Sequence, residues 1–235
     1  MNKIIKNIPN TITSLNLFCG IVGISFAFSN RLDIAAYMIW TAAIMDFFDG
    51  FAARALKVSS PIGKELDSLA DVVSFGVLPG FIMYHLIDAV MIYSWVPYLS
   101  ALIPIMSAIR LAKFNIDDAQ THSFIGLPTP AHALYISSLP LIINNADEEW
   151  VNWFSNPHFL IISTVFFSFL LVSKLELIAF KFKTYDWKAN AFKYMLVFLS
   201  IIILIILGYK GIPFIFISYI IMSVLEKKLS SRTET

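Results

Sequence analysis

Charge is scarce in this chain of 235 residues: Asp, Glu, Lys and Arg make up 14% of it, with 17 basic residues against 16 acidic and a net charge of +1. So even a balance, with no basic stripe interleaved with aromatics, excludes a protein built to bind nucleic acid. Cysteine is nearly absent. Cys19 is the single one, which rules out an intrachain disulfide framework and any CxxC-type metal site. Within its apolar run, a small packed or lipid-facing side chain is the expected role. His85, His122, His132 and His158 show no metal-ligand spacing, so structural roles are expected of all four. No internal repeat, low-complexity segment or soluble second domain interrupts the chain. No small-residue cleavage site follows the apolar run after "MNKIIKNIPN", so that run is expected to stay as a membrane helix. What the chain has in quantity is apolar surface. It is 58% hydrophobic with a mean hydropathy of +0.75, which describes an integral membrane protein.

A membrane helix needs about 20 mostly apolar residues. Eight runs qualify as candidates, near residues 11 to 29, 34 to 56, 62 to 86, 91 to 112, 128 to 144, 157 to 178, 190 to 208 and 211 to 227. The fifth is the weakest, because it is short and carries Pro128, Pro130 and Pro140, each of which lacks a backbone donor. Lysine and arginine accumulate in cytoplasmic loops. With the N-terminus inside, fifteen of the 17 basic residues fall on the cytoplasmic side, and only Arg31 and Lys210 fall outside. The outer side also receives the acidic stretch "NNADEEWVNWFSNPH". The expectation is therefore an all-α polytopic bundle of about eight spans. It forms one membrane domain over residues 1–235, with both termini cytoplasmic, in the cell membrane.

Against this background the stretch "DFFDGFAARALKVSSPIGKELDSLAD" stands out, with four aspartates between Asp46 and Asp71. A charge inside a bilayer costs from about 3 kcal/mol to more than about 10 kcal/mol, so intramembrane charges are paired, hydrated or functional. Asp46, Asp49, Gly50 and Ala53 lie at i, i+3, i+4 and i+7, one helix face. After "KVSS", Ser60 and Pro61 suit the N-cap and first position of a new helix. On that helix Gly63, Asp67, Asp71 and Ser74 again share a face. The short turn makes the two helices antiparallel neighbours whose carboxylates converge at the cytoplasmic edge.

Four converging carboxylates repel one another unless cations neutralise them. Divalent metal is thus expected, and oxygen-only ligands suit Mg²⁺, Mn²⁺ or Ca²⁺ rather than Zn²⁺. Two such ions can neutralise a pyrophosphate during displacement at phosphorus. Gly50, Ala53 and Gly63 leave room for a ligand to approach the backbone, and Arg54 offers a planar fork to phosphate oxygens. A divalent-cation transporter would also use intramembrane acids. It would leave Arg54 and the glycines without a task.

The order Asp46, Asp49, Gly50, Ala53, Arg54, Gly63, Asp67, Asp71 resembles the full signature of the CDP-alcohol phosphatidyltransferases, D-x2-D-G-x2-A-R-x8-G-x3-D-x3-D, without departure. The resemblance implies transfer of a phosphatidyl group from a CDP-linked lipid to an alcohol, with release of CMP, in a membrane-embedded homodimer open to the cytoplasm. It implies that Asp46, Asp49 and Asp67 ligate metal, and that Asp71 touches metal and acts as the base on the acceptor hydroxyl. By the same resemblance Gly50, Ala53 and Gly63 line the nucleotide pocket, and Arg54 holds that pocket or the phosphates.

Two further stretches, "ITSLNLFCG" (Ile12 to Gly20) and "RLAKFNID" followed by "FIGLPTPAHA" (Arg110 to Ala133), are similar to segments of the membrane-embedded phosphatidylserine synthases. Thr129 and His132 depart from that pattern, where serine and alanine are more frequent. This likeness implies CDP-diacylglycerol as donor and L-serine as acceptor, with membrane lipids around them. Glycerol 3-phosphate or an inositol phosphate is the alternative acceptor. A free serine carries a carboxylate and an ammonium. Arg110, Lys113 and Asn115, at a cytoplasmic helix end, can meet such groups, and Pro128 and Thr129 of "GLPTP" can shape the pocket. Asn16, costly if unpaired inside the first span, is expected to bond to the nucleotide or to a neighbouring helix.

Overall fold

The computed structural model describes residues 3–58, 60–91, 95–116, 124–178 and 186–233. Ten α-helices run through them: α1 Lys3–Phe28, α2 Leu32–Leu56, α3 Pro61–Val72, α4 Leu78–Asp88, α5 Leu102–Ile116, α6 Thr129–Asn145, α7 Glu148–Phe154, α8 Pro157–Leu171, α9 Trp187–Leu207 and α10 Ile212–Thr233. A π-helical turn, Val73–Val77, joins α3 to α4, and a 3-10 turn, Val96–Ala101, leads into α5. The only extended pairing among the described residues is a short antiparallel ladder. In it β1 (Phe124–Ile125) faces β2 (Glu176–Leu177). The all-α bundle expected from hydropathy is what forms. Ser59, His122, Lys181 and Lys183 lie outside the described residues.

Local chemistry sets the turns that position the site. Lys57, at φ 52°, closes α2 in the left-handed region. Ser60 opens α3 by accepting the Gly63 N–H at 3.0 Å, with Pro61 at the first position as expected. The two helices carrying the aspartates are thereby folded back on each other within four residues. The α3–α4 segment is the central one and is mostly buried, whereas the run over residues 190–229 is almost wholly on the periphery. Ile39 and Ala42 of α2, Phe75 of the π turn, Leu78 and Ile82 of α4, and Ile136 and Leu139 of α6 form the heart of the core. Trp40 Nε1 donates to Ser137 Oγ at 2.7 Å and ties α2 to α6. Phe18, Ile21, Phe47 and Ile162 are exposed, a distribution that suits lipid as solvent.

Among the described residues five helical runs are long and apolar enough to cross a membrane: Asn7–Phe28, Leu32–Leu56, Pro61–Asp88, Val96–Ile116 and Asn190–Leu229. The α7 and α8 pair, bent by 51°, would make a sixth. The eight expected runs all contain helix, but the fifth differs from a simple crossing: α6 is only 17 residues long and contains Pro140. The Asn190–Leu229 stretch holds the seventh and eighth expected runs and folds back on itself between them, since Leu196 and Met222 share one cluster with Leu199 and Tyr219. A continuous helix would hold residues 196 and 222 about 39 Å apart. The reversal is made at Gly208–Gly211, where Gly208 takes φ 56°. The sixth expected run, 157 to 178, also needs correction: α8 stops at Leu171 and the chain becomes extended at β2. The acidic stretch after residue 145 holds the unexpected α7, whose Trp153 and Phe154 pack against Phe159. Such aromatics suit a membrane–water interface.

Exposed charges pair locally at the loops. Lys210 Nζ donates to Asp147 Oδ2 at 2.7 Å and holds that exposed carboxyl below its ordinary range. Between α3 and α5, Lys64 Nζ donates to the Asn115 carbonyl at 2.9 Å. The first helix reaches the aspartate helices through a glycine: a Cβ on Gly20 would sit 2.5 Å from Ser74 Oγ and 3.0 Å from Ser74 Cα. Gly20→Val should therefore push α1 off the π turn and destabilise the protein by about 1–3 kcal/mol. A lowered melting temperature in detergent is expected, and an unchanged one would show that this approach is not tight.

Candidate active site

Helices α2 and α3 bring one carboxylate oxygen each from Asp46, Asp49 and Asp67 within 4.8 Å of one another, the convergence that the two helical faces predicted. In a chain this apolar, three such oxygens suit a hard divalent cation. Asp67 Oδ1 is also buried without a hydrogen-bond partner, a group that a metal ion would satisfy. Asp49 is oriented from outside its own helix, because Thr13 Oγ1 of α1 donates to its Oδ2 at 2.7 Å.

Asp71 does not belong to that three-oxygen group. It lies one turn further along α3, buried, and accepts from Asn16 Nδ2 at 3.2 Å. Asn16 is held in turn, since Ser74 Oγ donates to its carbonyl at 3.0 Å. The polar partner expected for Asn16 is therefore an aspartate on a neighbouring helix. Asp71 remains within electrostatic reach of Asp46 and Asp67 and also of Arg110.

Beside the carboxylates opens a cleft of about 200 Å³, lined by Gly50, Ala53 and Gly63 together with Asp49 and Asp67. Its wall is completed by Asn10, Thr13, Ser60 and Lys64. A Cβ on Gly63 would stand 2.9 Å from both Asn10 Oδ1 and Ser60 Oγ, so any side chain there would fill the cleft. The Arg54 guanidinium folds back over Gly50, where a Cβ would lie 3.3 Å from Nη1. Arg54 borders the cleft by this route rather than lining it.

The residues expected around the acceptor separate into two groups. Arg110 is buried on α5 and its Nε has no partner among the described residues. Thr129 is buried at the start of α6 with an unpartnered hydroxyl, and Pro128 precedes it as the N-cap residue. Lys113, by contrast, is exposed. Asn115 joins α5 to α3, donating from Nδ2 to Ser68 Oγ at 2.9 Å and to Glu65 Oε2 at 3.3 Å. That is a helix staple and not a free recognition group. Among the histidines, His132 is fully buried and its Nδ1 is unpartnered. Sequence reasoning missed Asn10, Thr13 and Lys64. A signal was present but masked, because Asn10, Thr13 and Asn16 recur every three residues while Thr11 and Ser14 stand between them.

Thr13 is expected to act on metal through Asp49. Partners that orient a ligand typically change metal affinity by 10-fold to 100-fold. Thr13→Val should raise the Mn²⁺ concentration that half-maximally stabilises the protein against heat by about 10-fold. An unchanged midpoint would mean that the Thr13 bond does not orient Asp49 for metal.

Comparison with known proteins bears on the same residues. The family model for CDP-alcohol phosphatidyltransferases matches residues 6–170. A CDP-diacylglycerol–serine O-phosphatidyltransferase of Bacillus subtilis (strain 168) is 36% identical over 178 residues, covering 74% of this chain and 91% of the relative. A protein of the same name from Helicobacter pylori (strain ATCC 700392 / 26695) is 33% identical over 205 residues, covering 83% of this chain and 80% of the relative. One from Methanocaldococcus jannaschii is 37% identical over 147 residues, covering 62% and 65%. The cation-transporter reading loses its ground, because the carboxylates, the cleft and the matched region coincide. This chain belongs to the CDP-alcohol phosphatidyltransferase family.

Proposed function

We propose that the chain transfers the phosphatidyl group of CDP-diacylglycerol to L-serine, giving phosphatidylserine and CMP. The observation that carries this reading is the meeting of Asp46, Asp49 and Asp67 oxygens within 4.8 Å, beside a cleft walled by Gly50, Ala53 and Gly63. The relatives' names add the acceptor. Asp46, Asp49 and Asp67 would hold a divalent cation, Mg²⁺ or Mn²⁺ with Ca²⁺ as the third candidate, and Asp71 would share a second ion. A cation bound there supplies positive charge to neutralise the pyrophosphate and the departing CMP.

The chain's own residues then have separate tasks. The glycines and Ala53 admit the cytidine nucleotide, and Arg54 braces its phosphates. Asp71, fixed by Asn16, accepts the proton of the serine hydroxyl as its oxygen forms a bond to the phosphatidyl phosphorus. The bond from that phosphorus to CMP breaks, and CMP leaves with the electron pair. A serine hydroxyl is too weak an acid to react unaided at neutral pH, so a positioned base is needed. Arg110, buried with an unpartnered Nε, offers a fork for the serine carboxylate. Thr129 and Pro128 shape the same pocket. Lys113 and Asn115 fit an acceptor role less well, one exposed and the other bonded to Ser68.

Burial of a single arginine also favours serine over glycerol 3-phosphate or an inositol phosphate, whose doubly charged phosphate calls for more cations. The basic residues point the site to the cytoplasm, with both termini on that side of the cell membrane and about eight crossings. A homodimer is the assembly the family resemblance implies.

Purified protein with CDP-diacylglycerol and Mn²⁺ should release CMP when L-serine is added and not with glycerol 3-phosphate or inositol phosphate. Release with another alcohol alone would keep the aspartate chemistry and overturn the serine assignment. Asp71→Asn should lower turnover by at least about 100-fold, the lower range for loss of a general base, while CDP-diacylglycerol binding persists. Turnover at the unaltered level would remove Asp71 from the base role.

A further inference from the structure

The family match ends at residue 170, so the hairpin of α9 and α10 lies beyond it. That hairpin nevertheless grips the segment leading to the acceptor side of the site. On α10, Tyr219, Ser223 and Lys227 follow one another at four-residue intervals and share a face. All three meet the strand β2 or the residue after it. Tyr219 Oη donates to the Ile178 carbonyl at 3.1 Å. Ser223 Oγ accepts the Ile178 N–H at 3.1 Å and donates to the Tyr219 carbonyl at 2.7 Å. Lys227 Nζ donates to Glu176 Oε1 at 3.0 Å. The last pair is half exposed on both sides and adds little by itself, so Tyr219 and Ser223 carry the grip.

The strand passes the constraint on. Leu177 pairs with Phe124 and Glu176 with Ile125. Immediately after β1, the Gly126 N–H donates to the Leu175 carbonyl at 2.8 Å and the Leu127 N–H to the Leu170 carbonyl at 3.2 Å. Gly126 adopts φ 77°, and a Cβ there would collide with the Leu171 carbonyl, so the chain has one close path into α6. That path delivers Pro128 and Thr129. Tyr219 also lies within electrostatic reach of Arg110. One tyrosine is thus linked to the α6 entry through Ile178 and the ladder, and to Arg110 through its field.

We propose that α10 is a clasp whose Tyr219 and Ser223, through Ile178 and the β1–β2 ladder, position the Gly126–Thr129 entry and Arg110 for binding of the acceptor. Both are positioning residues. They act on the alcohol and not on the CDP-lipid, whose cleft is built from α1, α2 and α3. The inference rests on the reading of Arg110 and Thr129 as the serine side of the site.

The test uses the full chain with CDP-diacylglycerol and Mn²⁺, measuring CMP release while each substrate is varied at saturation of the other. Tyr219→Phe keeps the ring and removes only the hydroxyl. It should raise the serine KM about fivefold, the scale of one lost hydrogen bond, and leave the CDP-diacylglycerol KM within about twofold. Ser223→Ala should do the same, and it decides the matter if the tyrosine variant fails to fold. A merely structural role would lower the melting temperature and the amount of active protein without separating the two KM values. Unchanged serine KM in a folded variant, or a parallel rise in both KM values, overturns the clasp. If the unaltered protein releases no CMP with serine, the acceptor reading itself fails and the clasp falls with it.

Discussion

Electrostatic repulsion among carboxylates in a medium that screens it poorly is the constraint on which this structure turns. Asp46, Asp49 and Asp67 present oxygens within 4.8 Å of one another, with Asp71 close behind. In water such a group would relax by moving apart; inside a bundle it is held by neighbours. The first helix supplies much of that restraint. Thr13 and Asn16 donate to Asp49 and Asp71, and Gly20 lets α1 come close enough to do so. The four-residue turn between α2 and α3 prevents the two acidic faces from separating along the chain. A cation, bound as proposed, would complete an arrangement that the backbone has already fixed.

The site as proposed has two sides with different architecture. The donor side is made by regular helices facing one another, and its cleft exists because glycine and alanine replace larger side chains. The acceptor side is made where regularity fails. A π turn follows Asp71, a positive-φ glycine precedes α6, and a two-residue ladder bridges distant parts of the chain. π-helical turns often occur at functional sites because they displace side chains from the helical register. In this chain Asp71, just before the turn, faces Asn16, and Gly76, within it, packs on Ser107 of α5.

Legibility in the sequence followed the same division. The four aspartates, Gly50, Ala53 and Gly63 could be placed because helical periodicity is local and a Ser-Pro pair marks where α3 begins. The bundle was legible from hydropathy. Thr13 was not singled out, since a threonine in an apolar helix commonly bonds its own backbone; this one does that too, at Pro9. The end of α8 at Leu171 was hard to see because Leu175, Leu177 and Ile178 keep the run apolar past Ser173, Lys174 and Glu176. They leave the helix to pair with β1 across fifty residues of chain, and no window of sequence contains both partners. Asn115 misled for a related reason: a polar residue beside Arg110 and Lys113 suggests recognition, while its actual partners Glu65 and Ser68 lie on another helix.

The order of these parts along the chain has a consequence for how the protein is made. Every side chain of the metal and nucleotide half lies between Asn10 and Asp71, on α1, α2 and α3. Arg110 and Thr129 come next, and the grip on β2 comes last, from Tyr219 onward. Chains fold from the N-terminus as they are synthesised. When the first third of the chain has been made, every residue of the acidic cluster is present, while Arg110, Thr129 and the grip on β2 are still to come. The metal half is thus complete in sequence long before the residues that face it from the acceptor side.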